Sequence, residues 1–137
     1  MKPRVFVLED DEYRISWFKS KYPNALITKD VDDAVTLLST NEFDVIFLDH
    51  DLEAVHYGGY TGSEERTGRD VARWLAENPK ASPNAAIIVH SLNASGASAM
   101  IDKMWETRGN RKLVRCPFIT LRNLVGTPFW DSKEVKD

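Results

Sequence analysis

Asp44-Val45-Ile46-Phe47-Leu48-Asp49-His50-Asp51 holds the reading of the fold. Four consecutive apolar residues, two of them β-branched, stop abruptly at an acid, an imidazole and a second acid. An unbroken apolar run of this length reads as a strand buried on both faces, the habit of a parallel sheet. The same grammar recurs on either side. Val5-Phe6-Val7-Leu8 stops at Glu9-Asp10-Asp11, Ala25-Leu26-Ile27-Thr28 is a short strand, and Ala86-Ile87-Ile88-Val89 stops at His90-Ser91-Leu92-Asn93. Lys112-Leu113-Val114-Arg115 stops at Cys116-Pro117-Phe118.

Helical spacing fills the intervals. Asp11 to Lys21 places Ile15, Phe18 and Tyr22 on one stripe, and Pro23-Asn24 ends it. Asp30 caps a helix in which Val31, Ala34, Val35 and Leu38 share a face. Thr67-Gly68-Arg69-Asp70 resembles a capping box ahead of Val71, Trp74 and Leu75. Ala97, Met100, Ile101, Met104 and Trp105 mark an amphipathic helix. Leu121 and Leu124 suit a short helix before Gly126, and Pro128-Phe129-Trp130 can pack back on the body. Strands alternating with helices imply an α/β domain with a parallel sheet covered on both faces. Only the segment from Leu52 to Thr67 is out of proportion. It carries Gly58, Gly59 and Gly62 and is too long for an ordinary strand-to-helix connection.

Composition bounds the function. The chain has 137 residues, 42% hydrophobic and 28% charged, with a formal net charge of −3, which suits one domain over residues 1–137. No apolar run approaches the ~20 residues of a membrane span, and the N-terminal apolar run is too short for a secretory signal. One cysteine, Cys116, leaves no internal disulfide and suits the cytoplasm. The mild acidity argues against non-specific coating of nucleic acid.

In open parallel sheets ligands bind beyond the carboxyl ends of the strands. There the sequence puts Asp10, Asp11, Asp49, Asp51, His50, His90, Ser91, Asn93 and Arg115. Crowded carboxylates raise one another's pKa unless a cation neutralises them, and Mg²⁺ or another divalent cation suits Asp10, Asp11, Asp49 and Asp51. The plainer alternative makes Asp11 a helix N-cap and Asp51 a solvated loop residue. Two histidines at neighbouring strand ends, His50 and His90, are the expected general acid and base. Ser91 and Asn93 can donate to phosphate oxygens, although Asn93 equally suits an N-cap. Arg108, Arg111, Lys112, Arg115 and Arg122 form a basic run able to guide a phosphate or an RNA end, or simply a solvated face. His56 reads as a surface residue. Tyr57 and Tyr60 suit base stacking or pinning of the loop. Cys116 reads as a buried small residue before a proline that can be cis, rather than a nucleophile.

From Arg4 to Phe118 these strings resemble the receiver domains of two-component signalling. The resemblance implies a flavodoxin-like three-layer fold with strand order 2-1-3-4-5, and residues 119–137 form a divergent C-terminal segment. Asp49 looks like the receiver's phosphoacceptor, Gly68 like its glycine at the third helix, and Ser91 like its phosphoryl-contacting hydroxyl. Cys116 stands where a receiver has lysine, and Leu113 where it has an aromatic. Leu48-Asp49-His50-Asp51-Leu52 with His90-Ser91-Leu92-Asn93 is more similar to the cyclic-phosphate-processing receiver-like family. That resemblance implies an Asp-bound cation and a phosphorylated small molecule or RNA end as substrate. A phosphorelay receiver served by a histidine kinase and an interaction module without chemistry are the alternatives.

Overall fold

The computed structural model describes residues 3–50, 67–108 and 112–124. Among them five strands and five helices alternate: β1 (Val5–Leu8), α1 (Glu12–Lys21), β2 (Leu26–Thr28), α2 (Val31–Thr40), β3 (Val45–Leu48), α3 (Gly68–Glu77), β4 (Ala86–Val89), α4 (Ala94–Arg108), β5 (Leu113–Arg115) and α5 (Phe118–Leu124). The sheet is wholly parallel with order β2-β1-β3-β4-β5. The expected flavodoxin-like architecture is therefore observed, and no described helix is long and apolar enough to cross a membrane.

Every residue of β1, β3 and β4 is buried, as unbroken apolar strands require when helices cover both faces. Side chains alternate between two cores. Phe6, Leu8, Ile46, Leu48, Ile87 and Val89 face α2, α3 and α4. Val5, Val7, Val45, Phe47 and Ile88 face the other way, onto Phe18 of α1 and Phe118 and Leu121 of α5. That alternation continues past the strand ends and decides which polar groups meet.

The helix starts follow their local chemistry. Asp30 caps α2 by accepting from the Asp33 N–H, and Thr67 and Asp70 form the reciprocal capping box of α3. Gly68 is obligatory for packing: a Cβ there would lie 1.9 Å from the Asp49 carbonyl oxygen. Three expectations shift. Trp105 is 55% exposed and lies off the buried stripe of α4. Arg108 does not join a basic surface. It is buried, and its guanidinium donates to the carbonyls of Leu75, Asn78, Ala81 and Ser82. The described peptide bonds are all trans, including that of Pro117. Asp51, His56, Tyr57, Tyr60, Arg111 and the Pro128-Phe129-Trp130 string lie outside the described residues.

Candidate functional site

Register brings the strand ends abreast. Leu8 pairs with Leu48, and Leu48 with Val89. The ladder runs one step further: the Asp49 N–H donates to Leu8 O at 3.1 Å and the His90 N–H to Leu48 O at 3.0 Å. Glu9, Asp49 and His90 thus share the pleat position of Val7, Phe47 and Ile88, and all three turn toward α1 and α5. One ligand atom from each lies within 4.8 Å of the others.

Glu9 organises this cluster. His90 Nε2 lies 2.7 Å from Glu9 Oε1, and Glu9 Oε2 accepts the N–H groups of Asp10 and Asp11, each at 3.1 Å. His90 is fully buried, edge-on to Phe18 at 5.2 Å and Phe47 at 6.3 Å between ring centroids. Its Nδ1 has no hydrogen-bond partner among the described residues. Arg14, near the start of α1, sets Nη1 3.8 Å from Glu9 Oε1 and 3.8 Å from Asp49 Oδ2.

The two carboxyls respond in opposite directions. Burial pushes Glu9 up, but the His90 hydrogen bond and charge, the Asp11 N–H and Arg14 together hold it below its ordinary value. Asp49 has weaker compensation. Burial first, then the charge of Glu9, push it up to about 8, with Arg14 only partly opposing. Glu9, Asp49 and His90 are together a donor set of the kind that could hold a metal ion.

The expected site residues divide. Asp10 and Asp49 stand at the rim and are buried. Asp11 takes the plainer role: its carboxylate accepts the Arg14 N–H at 3.0 Å and caps α1. The acidic pair of the rim is therefore Glu9 and Asp10, not Asp10 and Asp11. Sequence reasoning passes over Glu9, although it is the first residue after the strand and keeps the pleat of Val5 and Val7.

The two histidines leave the sheet on opposite faces, because 50 is one residue out of phase with 49 whereas 90 is in phase with it. His50 is half-buried toward α4, where a Cβ on Gly96 would come within 2.6 Å of its ring, and its Nδ1 is 3.5 Å from the Asn93 amide. It opens onto a cavity of about 720 Å³ between α3 and α4, lined also by Arg69, Arg73 and Asp102. A facing His50/His90 acid–base pair is not assembled.

Ser91 turns away from Asp49 with His50. It is buried, and its hydroxyl accepts the Asn93 N–H at 3.0 Å. Register gives the place beside Asp49 to His90 instead. Asn93 accepts the Gly96 N–H at 2.9 Å and so caps α4. Arg115 is exposed, and its guanidinium is 3.5 Å from Leu92 O. Cys116 is buried, and burial pushes its thiol up.

The arrangement is that of a receiver-like domain with Glu9, Asp49 and His90 gathered at its strand ends. The family model of the cyclic-phosphate processing receiver domain matches residues 5–106, and the chain belongs to that family. Solved structures agree on the fold. The receiver domain of the Francisella response regulator 1452 is 20% identical, with 74% of this chain and 78% of that chain covered and a TM-score of 0.55. A sensor protein from Polaromonas sp. JS666 is 15% identical, covering 91% and 90%, at 0.64. A Burkholderia pseudomallei response regulator, solved with a phosphorylated aspartic acid, calcium ion and citrate, is 14% identical, covering 98% and 71%, at 0.63. A search of curated proteins finds no match.

Proposed function

We propose that the chain is a metal-dependent phosphoesterase that opens cyclic phosphates of nucleotides or RNA ends. The observation that carries this reading is the buried Glu9–His90 pair standing beside Asp49, where the strand ends converge. The family's description as cyclic-phosphate processing supports the substrate class.

The donor set fits a divalent cation. Glu9, Asp49 and His90 would hold it, with Asp10 at hand, and the raised Asp49 carboxyl is the charge imbalance it would relieve. Mg²⁺ suits the carboxylates, and an imidazole nitrogen extends the choice to Mn²⁺ or Zn²⁺. When bound, such a cation polarises phosphate oxygens and lowers the pKa of a coordinated water. The chain does the rest. Two backbone N–H groups clamp Glu9, Phe18 and Phe47 shield the His90 ring from water, and the His90 Nε2 that bonds Glu9 without a cation would give up that bond to ligate one. His50 leaves the sheet on the opposite face, so the proton for the departing alkoxide would come from solvent rather than from that imidazole.

The phosphorelay reading retains one support: Asp49 sits at the end of β3 in a fold shared with a phosphorylated response regulator. The position after β5 counts against it, since Cys116 there is a buried thiol rather than a cation. Two incubations separate the readings. With Mg²⁺ and a nucleoside 2′,3′-cyclic phosphate, ring opening is expected, and His90→Gln should lower it about 10²-fold or more. With Mg²⁺ and acetyl phosphate, a labile mass gain lost in Asp49→Asn, without ring opening, would instead establish a phosphoacceptor.

A further inference from the structure

Arg14 is the cation that the described residues bring to the carboxylates, and its geometry is unusual for a purely structural ion pair. Its Nη1 stands 3.8 Å from both Glu9 and Asp49. That is within ion-pair range but beyond the 3.2 Å of a made hydrogen bond. Glu9 is already satisfied by His90 and two backbone N–H groups. The side chain is 24% exposed, so the guanidinium meets solvent on one side and buried acid on the other. In the same pose its guanidinium carbon lies 5.6 Å from the centroid of the Phe118 ring, which carries the head group from the side away from the acids. Asp11 anchors the start of α1 by accepting the Arg14 N–H, so the backbone of Arg14 is held while its head group makes no short hydrogen bond to either acid.

We infer that Arg14 is an exchangeable counterion. It neutralises Glu9 and Asp49 until a divalent cation takes the carboxylates, then, still resting on Phe118, turns its donors to the phosphate oxygens of the substrate. The inference rests on the metal-dependent reading above and adds the residue that recognises the anion. Guanidinium suits this double duty, since its planar fork of donors fits carboxylate and phosphate alike. The need for such a residue is local. Cys116 at the end of β5 is buried and uncharged, and Arg115 beside it is on the other face. Among the described residues, Arg14 and His90 are the cationic side chains ion-paired with Glu9 or Asp49.

The exchange makes two affinities move in opposite directions, which loss of folding or of packing would not do. In Arg14→Gln the carboxylates lose their competitor, so Mg²⁺, titrated calorimetrically without phosphate, should bind about tenfold more tightly. Inorganic phosphate, titrated at saturating Mg²⁺, should bind about tenfold more weakly. Arg14→Lys keeps the charge and should hold Mg²⁺ affinity near that of the unaltered chain while recovering part of the phosphate affinity. Circular dichroism melts verify that both variants are folded. Unaltered chain that binds Mg²⁺, with Arg14→Gln binding it no more tightly or phosphate no more weakly, overturns the exchange and leaves the metal reading standing. Unaltered chain that takes up no Mg²⁺ at millimolar concentration removes the metal reading and the exchange with it.

Discussion

Asp49 is the residue on which the pH behaviour of the fold turns. Its carboxyl has an ordinary value of 3.8 and is pushed to about 8 by burial and by Glu9. A group that binds its proton more tightly when folded stabilises the protein fully below the unfolded value. That contribution is lost as pH rises through the folded one. Without a divalent cation, thermal stability should therefore fall between pH 5 and pH 8. Asp49→Asn should flatten that slope and melt at a higher temperature than the unaltered chain at pH 8. Melting curves across this window check it, and an unchanged slope in Asp49→Asn would assign the effect elsewhere. Glu9 runs the other way: held low, it contributes at neutral pH and loses that contribution only on acidification. Legibility at this scale is partial. Glu9-Asp10-Asp11 offers three acids, and only the strand's last hydrogen bonds show that the first faces the sheet cluster and the third caps α1. The same half-turn of pleat separates His50 from His90. Their closeness at one rim can be read from the chain, but their facing cannot, because neither lies inside a strand whose alternation is visible in hydropathy.

At the scale of elements, the strand-to-helix junctions carry the site. Gly68 begins α3 so close to Asp49 that no side chain fits, and its N–H donates to His50 O at 2.9 Å. Gly68→Ala must move the carbonyl of Asp49 or the start of α3. It should cost about 3 kcal/mol or more and lower the divalent-cation affinity of whatever folded protein remains. Gly96→Ala presses instead on the ring of His50, a movable side chain on the other face, so it should leave the fold nearly intact and cation binding unchanged. Chemical denaturation and calorimetric titration of the two variants separate these outcomes. The buried strands β1, β3 and β4 are legible because apolar runs between polar stops have little else to be. The short edge strands β2 and β5 are legible mainly from their neighbours: Leu26 is exposed, Val114 is exposed, and neither has a clear alternation. α5 is a single short helix whose beginning at Phe118 is decided by contact with α1 rather than by its own spacing.

Over the whole molecule, the two cores and the rim depend on α4 being tied to the opposite end of the sheet. Arg108 makes that tie, with Nε donating to Leu75 O and Nη2 to Asn78 O, each at 3.0 Å, and further donors to Ala81 and Ser82. Two of these carbonyls end α3, so one guanidinium both caps a helix and orders the connection into β4. Arg108→Met should lose about 3 kcal/mol or more, since it strands several buried carbonyls at once, while leaving cation affinity unchanged in the folded protein. In sequence this arginine is indistinguishable from its basic neighbours, because a charge's burial depends on acceptors contributed some thirty residues away. Strand order likewise follows from the handedness and crossover rules only once the resemblance to receivers is admitted.

The central claim is that Glu9, Asp49 and His90 together hold one divalent cation. Titrating the protein with Zn²⁺ while following the ring nitrogens of its histidines by NMR tests it most directly. The His90 resonances should shift and saturate at one equivalent, and this response should disappear in Glu9→Gln. A cation that binds with His90 unmoved, or no binding at all, would contradict it.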